Sequence, residues 1–235
     1  MPKPVIVSWS GGKDSALMLA ALRADPRFEP VALLTTVTSG YERVSIHGVR
    51  RELLAAQARA LALPLHETWL APASSNAAYE SALATSLGEL RERYADVRHI
   101  AYGDLFLDDV RRYREEQLAA LGWEGVFPLW GQPTDMLARS FVDGGYAARL
   151  VCVDTMTLSA AFAGRPYDAA LLADLPGGVD PCGERGEFHT FVSHGPGFNE
   201  AVEYEVGEIV TREERFAYCD LIPSASAQRR FRELP

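Results

Sequence analysis

Six residues near the start of the chain, Ser10-Gly-Gly-Lys-Asp-Ser15, combine side chains suited to holding phosphate. Paired glycines let the backbone pass close to a bulky anion and adopt conformations closed to other residues. Lys13 adds a positive charge, Ser10 and Ser15 add hydroxyl donors, and Asp14 adds a carboxylate able to carry a divalent cation. The apolar run Val5-Ile-Val7 precedes them, and Leu17, Met18, Ala21 and Leu22 follow at helical spacing, which predicts strand, turn and helix. A helix start there aims free N–H groups and the positive end of its dipole at the turn. The motif is not of the Walker type: residue 7 is Val where that pattern needs Gly, and Asp14 rather than Ser or Thr follows Lys13. A plain turn capped by Ser10 or Asp14 is the competing reading. The density of Lys, Asp and Ser around the glycines weighs against it.

Two further clusters carry reactive side chains. In Gly103-Asp-Leu-Phe-Leu-Asp-Asp-Val-Arg-Arg-Tyr-Arg114, Asp104 falls at the end of a predicted strand, where ligands of parallel sheets gather. Carboxylates beside a triphosphate suit Mg²⁺, and Arg111 and Arg114 suit a carboxylate or phosphate by bidentate pairing. A dipole-favoured helix start with a solvated Arg/Glu face is the alternative for Asp109 and the later arginines. The third cluster, Gly178-Val-Asp-Pro-Cys-Gly-Glu-Arg-Gly-Glu-Phe-His-Thr190, is dense in glycine, carboxylate, Cys and His. Cys182 and His189 have no second pair at zinc spacing. Glu184 and Glu187 could serve as bases, metal ligands or docking points for an amine; a tight structural turn is the alternative.

The surrounding pattern supplies the frame. Val31–Thr38, Leu65–Leu70, Val97–Tyr102 and Gly125–Leu129 read as strands after the first. Helical periodicity fills Val49–Leu61, Asn76–Leu90 and Val110–Leu121, with Gln57 and the arginines of the second helix placed off its apolar stripe and Asn76 as a cap. Strand and helix alternate, so the expected fold is α/β: a parallel five-stranded sheet with helices on both faces, plus a smaller α+β C-terminal domain. The expected boundaries are residues 1–130, 131–223 and a polar, loose tail over 224–235. Strand-end topology gathers Ser10–Ser15, Thr36–His47, Ala71–Asn76 and Gly103–Asp108 around one crevice. This adds Thr36 and His47 to the candidate nucleotide contacts. Gly164–Gly178 reads as irregular, and Trp123 and Trp130 read as exposed markers of a seam or an interface with another subunit.

Composition narrows the classes. The chain has 235 residues, 48% apolar and 23% charged, and a net charge of −9, which argues against a nonspecific grip on nucleic acid. Three widely spaced cysteines make no disulfide framework. No apolar run reaches membrane-spanning length and no signal-peptide core follows Met1, so a cytoplasmic protein is expected.

Taken in order, Ser10–Ser15, Gly103-Asp104 with a later Arg, Pro128-Leu-Trp130 and Cys182-Gly-Glu-Arg-Gly-Glu-Phe-His-Thr190 resemble the diphthine–ammonia ligase family, within the ATP pyrophosphatase (PP-loop) superfamily. The first motif is shared across that superfamily; the Cys-Gly-Glu-x-Gly-Glu motif discriminates. The resemblance implies adenylation of a carboxylate by ATP with Mg²⁺, release of pyrophosphate, then amidation by ammonia with release of AMP. It implies ATP contacts at Ser10, Gly11, Gly12, Lys13, Asp14, Ser15, Thr36, His47 and Gly103, and metal ligation by Asp14 and Asp104. Lys13, Asp104, Glu184 and Glu187 would be catalytic, with the two glutamates receiving ammonium; Arg111, Arg114, Cys182, Gly183 and His189 would bind the acceptor. The segment Arg43–Arg50 departs from archaeal and eukaryotic members. Three readings therefore stand: ligation on diphthine of a translation elongation factor, the same chemistry on a small-molecule acid in a bacterial paralog, or a nucleotide-binding regulator.

Overall fold

The computed structural model describes residues 1–45 and 47–232. The chain divides into two compact units, one of Met1–Ser10, Asp14–Ser45 and Leu63–Gly131, the other of Gly11–Lys13, Ile46–Ala62 and Gln132–Pro235.

The elements from the first residue to 131 are β1 (Lys3–Ser8), α1 (Lys13–Ala24), β2 (Phe28–Thr38), β3 (Arg43–Val44), α2 (Arg51–Ala60), β4 (Leu65–Leu70), α3 (Asn76–Arg93), β5 (His99–Ala101), α4 (Asp108–Ala120) and β6 (Glu124–Val126); of these, α2 belongs to the second unit. In the first unit β1 pairs in parallel with β2 and β5, β2 with β4, and β5 with β6. The parallel order is therefore β4-β2-β1-β5-β6, the five-stranded sheet expected. The two-residue β3 adds an antiparallel pairing to β2 at Val37–Val44 and Thr38–Arg43, too short to read from periodicity. Val5, Ile6 and Val7 of the central strand are all fully buried, as a strand covered on both faces requires. On one face Ile6, Leu34 and Ile100 pack with Leu83, Leu87 and Leu90 of α3, Leu118 of α4, and Trp123. Trp123 is thus core rather than exposed, and Arg91 lies over its ring at 5.2 Å. The cap of α3 is Ser75, whose Oγ accepts the Ala78 N–H at 3.3 Å, rather than Asn76.

The second unit continues with α5 (Thr134–Asp143), β7 (Ala147–Asp154), α6 (Ala169–Asp174), β8 (Phe188–His194), β9 (Tyr204–Arg212), β10 (Phe216–Pro223) and α7 (Ala225–Arg232). Its strands form an antiparallel sheet in the order β8-β7-β10-β9. Leu150, Val153, Phe191 and Val192 from the sheet are buried, as are Phe141 of α5 and Leu171 of α6. Two expectations change here. The stretch expected to be irregular contains α6, because Ala169-Ala-Leu-Leu-Ala173 is a run of strong helix formers and Asp168 accepts the Leu171 N–H at 2.8 Å as a cap. The tail expected to be loose carries α7, capped by Ser224, with Ala227 buried and Arg51 stacked 5.0 Å from the Phe231 ring; residues 233–235 lie outside the described chain. No described helix is long and apolar enough to cross a membrane.

Candidate functional site

The first unit contributes the flanks of the glycine turn and the strand ends beside it. The Ser10 and Ser15 hydroxyls lie 2.7 Å apart, and Ser15 Oγ also accepts the Ser10 N–H at 3.1 Å, so the two serines close the turn. Gly103, just past β5, runs against Asp14. A β-carbon at 103 would stand 3.2 Å from the Asp14 carbonyl, a close approach that favours glycine. The strand-end rule thus brings Asp14 and the start of the Gly103-Asp104 segment together as expected. Asp104 is held by Arg114: Nε donates to one carboxylate oxygen at 2.7 Å and Nη2 to the other at 3.3 Å. Arg114 also stacks 4.2 Å from the ring centre of buried Tyr102, whose hydroxyl burial pushes well above the usual phenol range. Arg111 bonds Glu115 and stacks 4.7 Å from both Phe127 and Trp130. The two arginines therefore stand apart in role. Arg114 serves its carboxylate partner, and Arg111 keeps a third of its side chain exposed on an aromatic platform. Thr36 is half-buried, and its carbonyl accepts the Ser45 N–H at 3.1 Å.

The second unit holds the turn's centre. Gly11 has φ +80°, left-handed backbone that favours glycine. Its carbonyl accepts the Val192 N–H at 2.9 Å and the Gln57 amide at 2.9 Å. The same Gln57 nitrogen donates to the Val192 carbonyl at 2.6 Å. The Lys13 N–H donates to Thr190 Oγ1 at 3.0 Å. The Lys13 side chain is 2% exposed; its ammonium donates to the Cys182 carbonyl and lies 5.7 Å and 5.9 Å from the Phe188 and Tyr167 ring centres. Lys13 thus points into the protein, onto the Cys-Gly-Glu-x-Gly-Glu segment.

That segment is a hydrogen-bonded turn. Asp180 accepts the Cys182 N–H at 2.8 Å and, more weakly, the Glu184 N–H at 3.4 Å on one oxygen; its other oxygen accepts the Thr134 hydroxyl at 2.8 Å. Buried Glu187 accepts the Asp180 N–H and the Arg185 N–H, each at 3.0 Å, one per carboxylate oxygen. Cys182 is buried, its thiol facing the Thr134 carbonyl at 3.3 Å. Gly183 has φ +68°, and a β-carbon there would stand 2.7 Å from the Phe188 carbonyl. Glu184 is partly exposed, the most accessible carboxylate of the motif. The His189 and His47 rings lie 4.4 Å apart. Burial, reinforced by the charges of His47 and Lys13, holds the His189 imidazole well below its usual range, so it is neutral at physiological pH.

Gln57 and Thr190 are the residues sequence reading missed. Gln57 is fully buried rather than off the stripe. Its spacing carried the signal: it is four residues after Leu53, three after Leu54 and four before Leu61, a polar residue on an apolar stripe. Thr190 had only its place at the end of the third motif.

Among the described residues no group of three or more His, Cys, Asp or Glu side chains is arranged to hold a metal. Of the two carboxylates that the resemblance implies as metal ligands, Asp14 and Asp104, the second already shares its charge with Arg114.

Two family models match the chain in sequence. The diphthamide synthase N-terminal domain matches residues 3–122, and the diphthamide synthase C-terminal domain matches residues 133–222. No curated protein was found to match it.

Proposed function

The chain belongs to the diphthamide synthase family, a diphthine–ammonia ligase-like branch of the PP-loop superfamily, and on that premise we propose that it adenylates a carboxylate with ATP and converts the adenylate to an amide with ammonia. The family places it among enzymes of the ATP pyrophosphatase type, which use ATP. The observation that carries the finer reading is the fixed glycine turn at Gly11–Lys13, held from the discriminating motif itself.

A carboxylate oxygen attacks the α-phosphorus; the bond to the bridging oxygen breaks, and pyrophosphate leaves with that electron pair. Charge grows on the leaving group. Fixed backbone dipoles at the turn and the start of α1 favour it most at the transition state, and Lys13, turned onto the Cys182 carbonyl, holds that turn in place. By the resemblance, Ser10, Gly11, Gly12, Asp14 and Ser15 would take the phosphates, and Thr36, His47 and Gly103 the rest of the nucleotide. Mg²⁺, when bound at Asp14 and Asp104, would neutralise phosphate charge. Arg111, the more accessible arginine, orients the acid. Ammonia then attacks the acyl carbon, AMP leaves, and the surplus proton passes to a base. We assign that role to Glu184, because both oxygens of Glu187 already accept backbone N–H groups. Cys182 and Gly183 shape the acceptor pocket, beside neutral His189.

The acceptor proposed first is diphthine on a translation elongation factor. The divergent Arg43–Arg50 segment favours assaying small-molecule acids alongside it. AMP, pyrophosphate and amide are to be measured with ATP, Mg²⁺, ammonium and each acid. Lys13→Ala is expected to abolish pyrophosphate release, and Glu184→Gln to spare adenylate formation and its pyrophosphate while blocking amide. Equal loss of pyrophosphate and amide in Glu184→Gln would reject the division of labour. No pyrophosphate with any acid would leave a nucleotide-binding regulator.

A further inference from the structure

We propose that Gln57 and Thr190 are positioning residues that set the backbone of the phosphate loop before nucleotide arrives, and that the Cys182–Thr190 motif therefore serves the ATP half of the reaction as well as the acceptor half. This deepens the function proposed above and rests on it.

Four hydrogen bonds fix two loop residues, Gly11 and Lys13. Val192 N–H and the Gln57 amide both donate to the Gly11 carbonyl, Thr190 Oγ1 accepts from the Lys13 N–H, and the Lys13 ammonium is on the Cys182 carbonyl. Gln57 and Thr190 are 0% and 3% exposed, so water does not compete for their bonds. Gln57 also reaches the Val192 carbonyl, tying α2, β8 and the loop through one nitrogen. Its Oε1 stands where a β-carbon on residue 11 would fall, at 2.7 Å, so the amide shapes the loop as well as binding it. With the Gly11 carbonyl and the Lys13 N–H committed inward, the peptide planes either side of Gly12 have little freedom left. A loop ordered in advance does not lose that entropy when the triphosphate binds, which appears directly as affinity. Simple packing would not need two buried side chains whose hydrogen bonds reach the loop and the strand beside it.

The test is MgATP binding by calorimetry to the full chain without acid substrate, for wild type, Thr190→Val, Thr190→Ser and Gln57→Leu. Each of Thr190→Val and Gln57→Leu is expected to raise the ATP Kd about tenfold, the effect of losing one buried hydrogen bond. Thr190→Ser, which keeps the acceptor, should stay within about threefold of wild type. Leu171→Ala, a core truncation in α6, controls for stability: its Tm falls and its Kd stays put. Affinity in Thr190→Val and Gln57→Leu within twofold of wild type overturns the proposal and leaves the proposed function standing. Absence of ATP binding by the wild type overturns the function and this inference with it. Should the variants not fold, hydrogen exchange of the ATP-free wild type decides. The Lys13 and Val192 amides should exchange at least a hundredfold more slowly than those of the exposed turn at 213–214, and equal rates would reject a preset loop.

Discussion

Glu187→Gln separates a catalytic glutamate from a structural one. In the wild type each carboxylate oxygen accepts one backbone N–H at 3.0 Å, from Asp180 and from Arg185, and the side chain is 4% exposed. Glutamine keeps one acceptor and turns the other into a donor. One of the two N–H groups then faces an NH₂ instead of an oxygen, and the remaining bond loses its charge assistance. A buried donor left unsatisfied costs about 1–3 kcal/mol, and weakening a charge-assisted bond by about 1 kcal/mol brings the total to about 2–4 kcal/mol. For a chain of this size that is a fall in Tm of about 4–16 °C. The loss should spread to both products, because the turn that Glu187 closes presents the Cys182 carbonyl to Lys13. Scanning calorimetry with parallel pyrophosphate and amide assays reads all three quantities. A Glu187→Gln protein with wild-type Tm and intact pyrophosphate release but no amide would refute this reasoning and make Glu187 the base.

The Asp104–Arg114 pair has side chains 16% and 25% exposed, between surface and buried pairs. An Asp104→Asn, Arg114→Met double-mutant cycle in urea is expected to give a coupling of about 1–3 kcal/mol, and a value below about 0.3 would remove the pair as a determinant of the strand-end region. Gly183→Ala forces a side chain into left-handed backbone and onto the Phe188 carbonyl, so a destabilisation of about 2–3 kcal/mol is expected by denaturant unfolding; a change under about 0.5 would show that the turn relaxes freely. His189 titrates lower in the folded chain than its ordinary value of about 6.5, so the unfolded chain takes up the proton first as pH falls. Its contribution to stability is complete above that value and is lost progressively below it. Tm should hold from pH 8 to pH 7 and decline towards pH 5, with a shallower decline in His189→Gln; an identical profile in the variant would contradict this.

The first unit was largely legible because its signals are local. β4 runs over Leu65–Leu70 as read from the sequence, and the five parallel strands follow from β-α alternation and short connections. What escaped was decided by tertiary context. Trp123 could be placed only once α3 and the sheet were known to close over it, and α7 forms where Ala227 finds a buried site that sequence periodicity in a short polar tail does not announce. The site divides along the same line. Asp14 meeting Gly103 follows from topology, since both lie at strand carboxyl ends.

The direction of Lys13 does not follow from topology. In a glycine turn at a helix start, an ammonium could face outward to a phosphate or inward to a carbonyl, and both satisfy the local pattern. The choice is made by a residue 169 positions away, where Asp180 and Glu187 fold the Cys182 turn so that its carbonyl meets the ammonium between two aromatic rings. A buried lysine needs such an acceptor. Gly183 and Glu187 of the discriminating motif, read from sequence as substrate chemistry, therefore have a structural reason for their types: they build the acceptor that fixes the lysine of a motif at the other end of the chain.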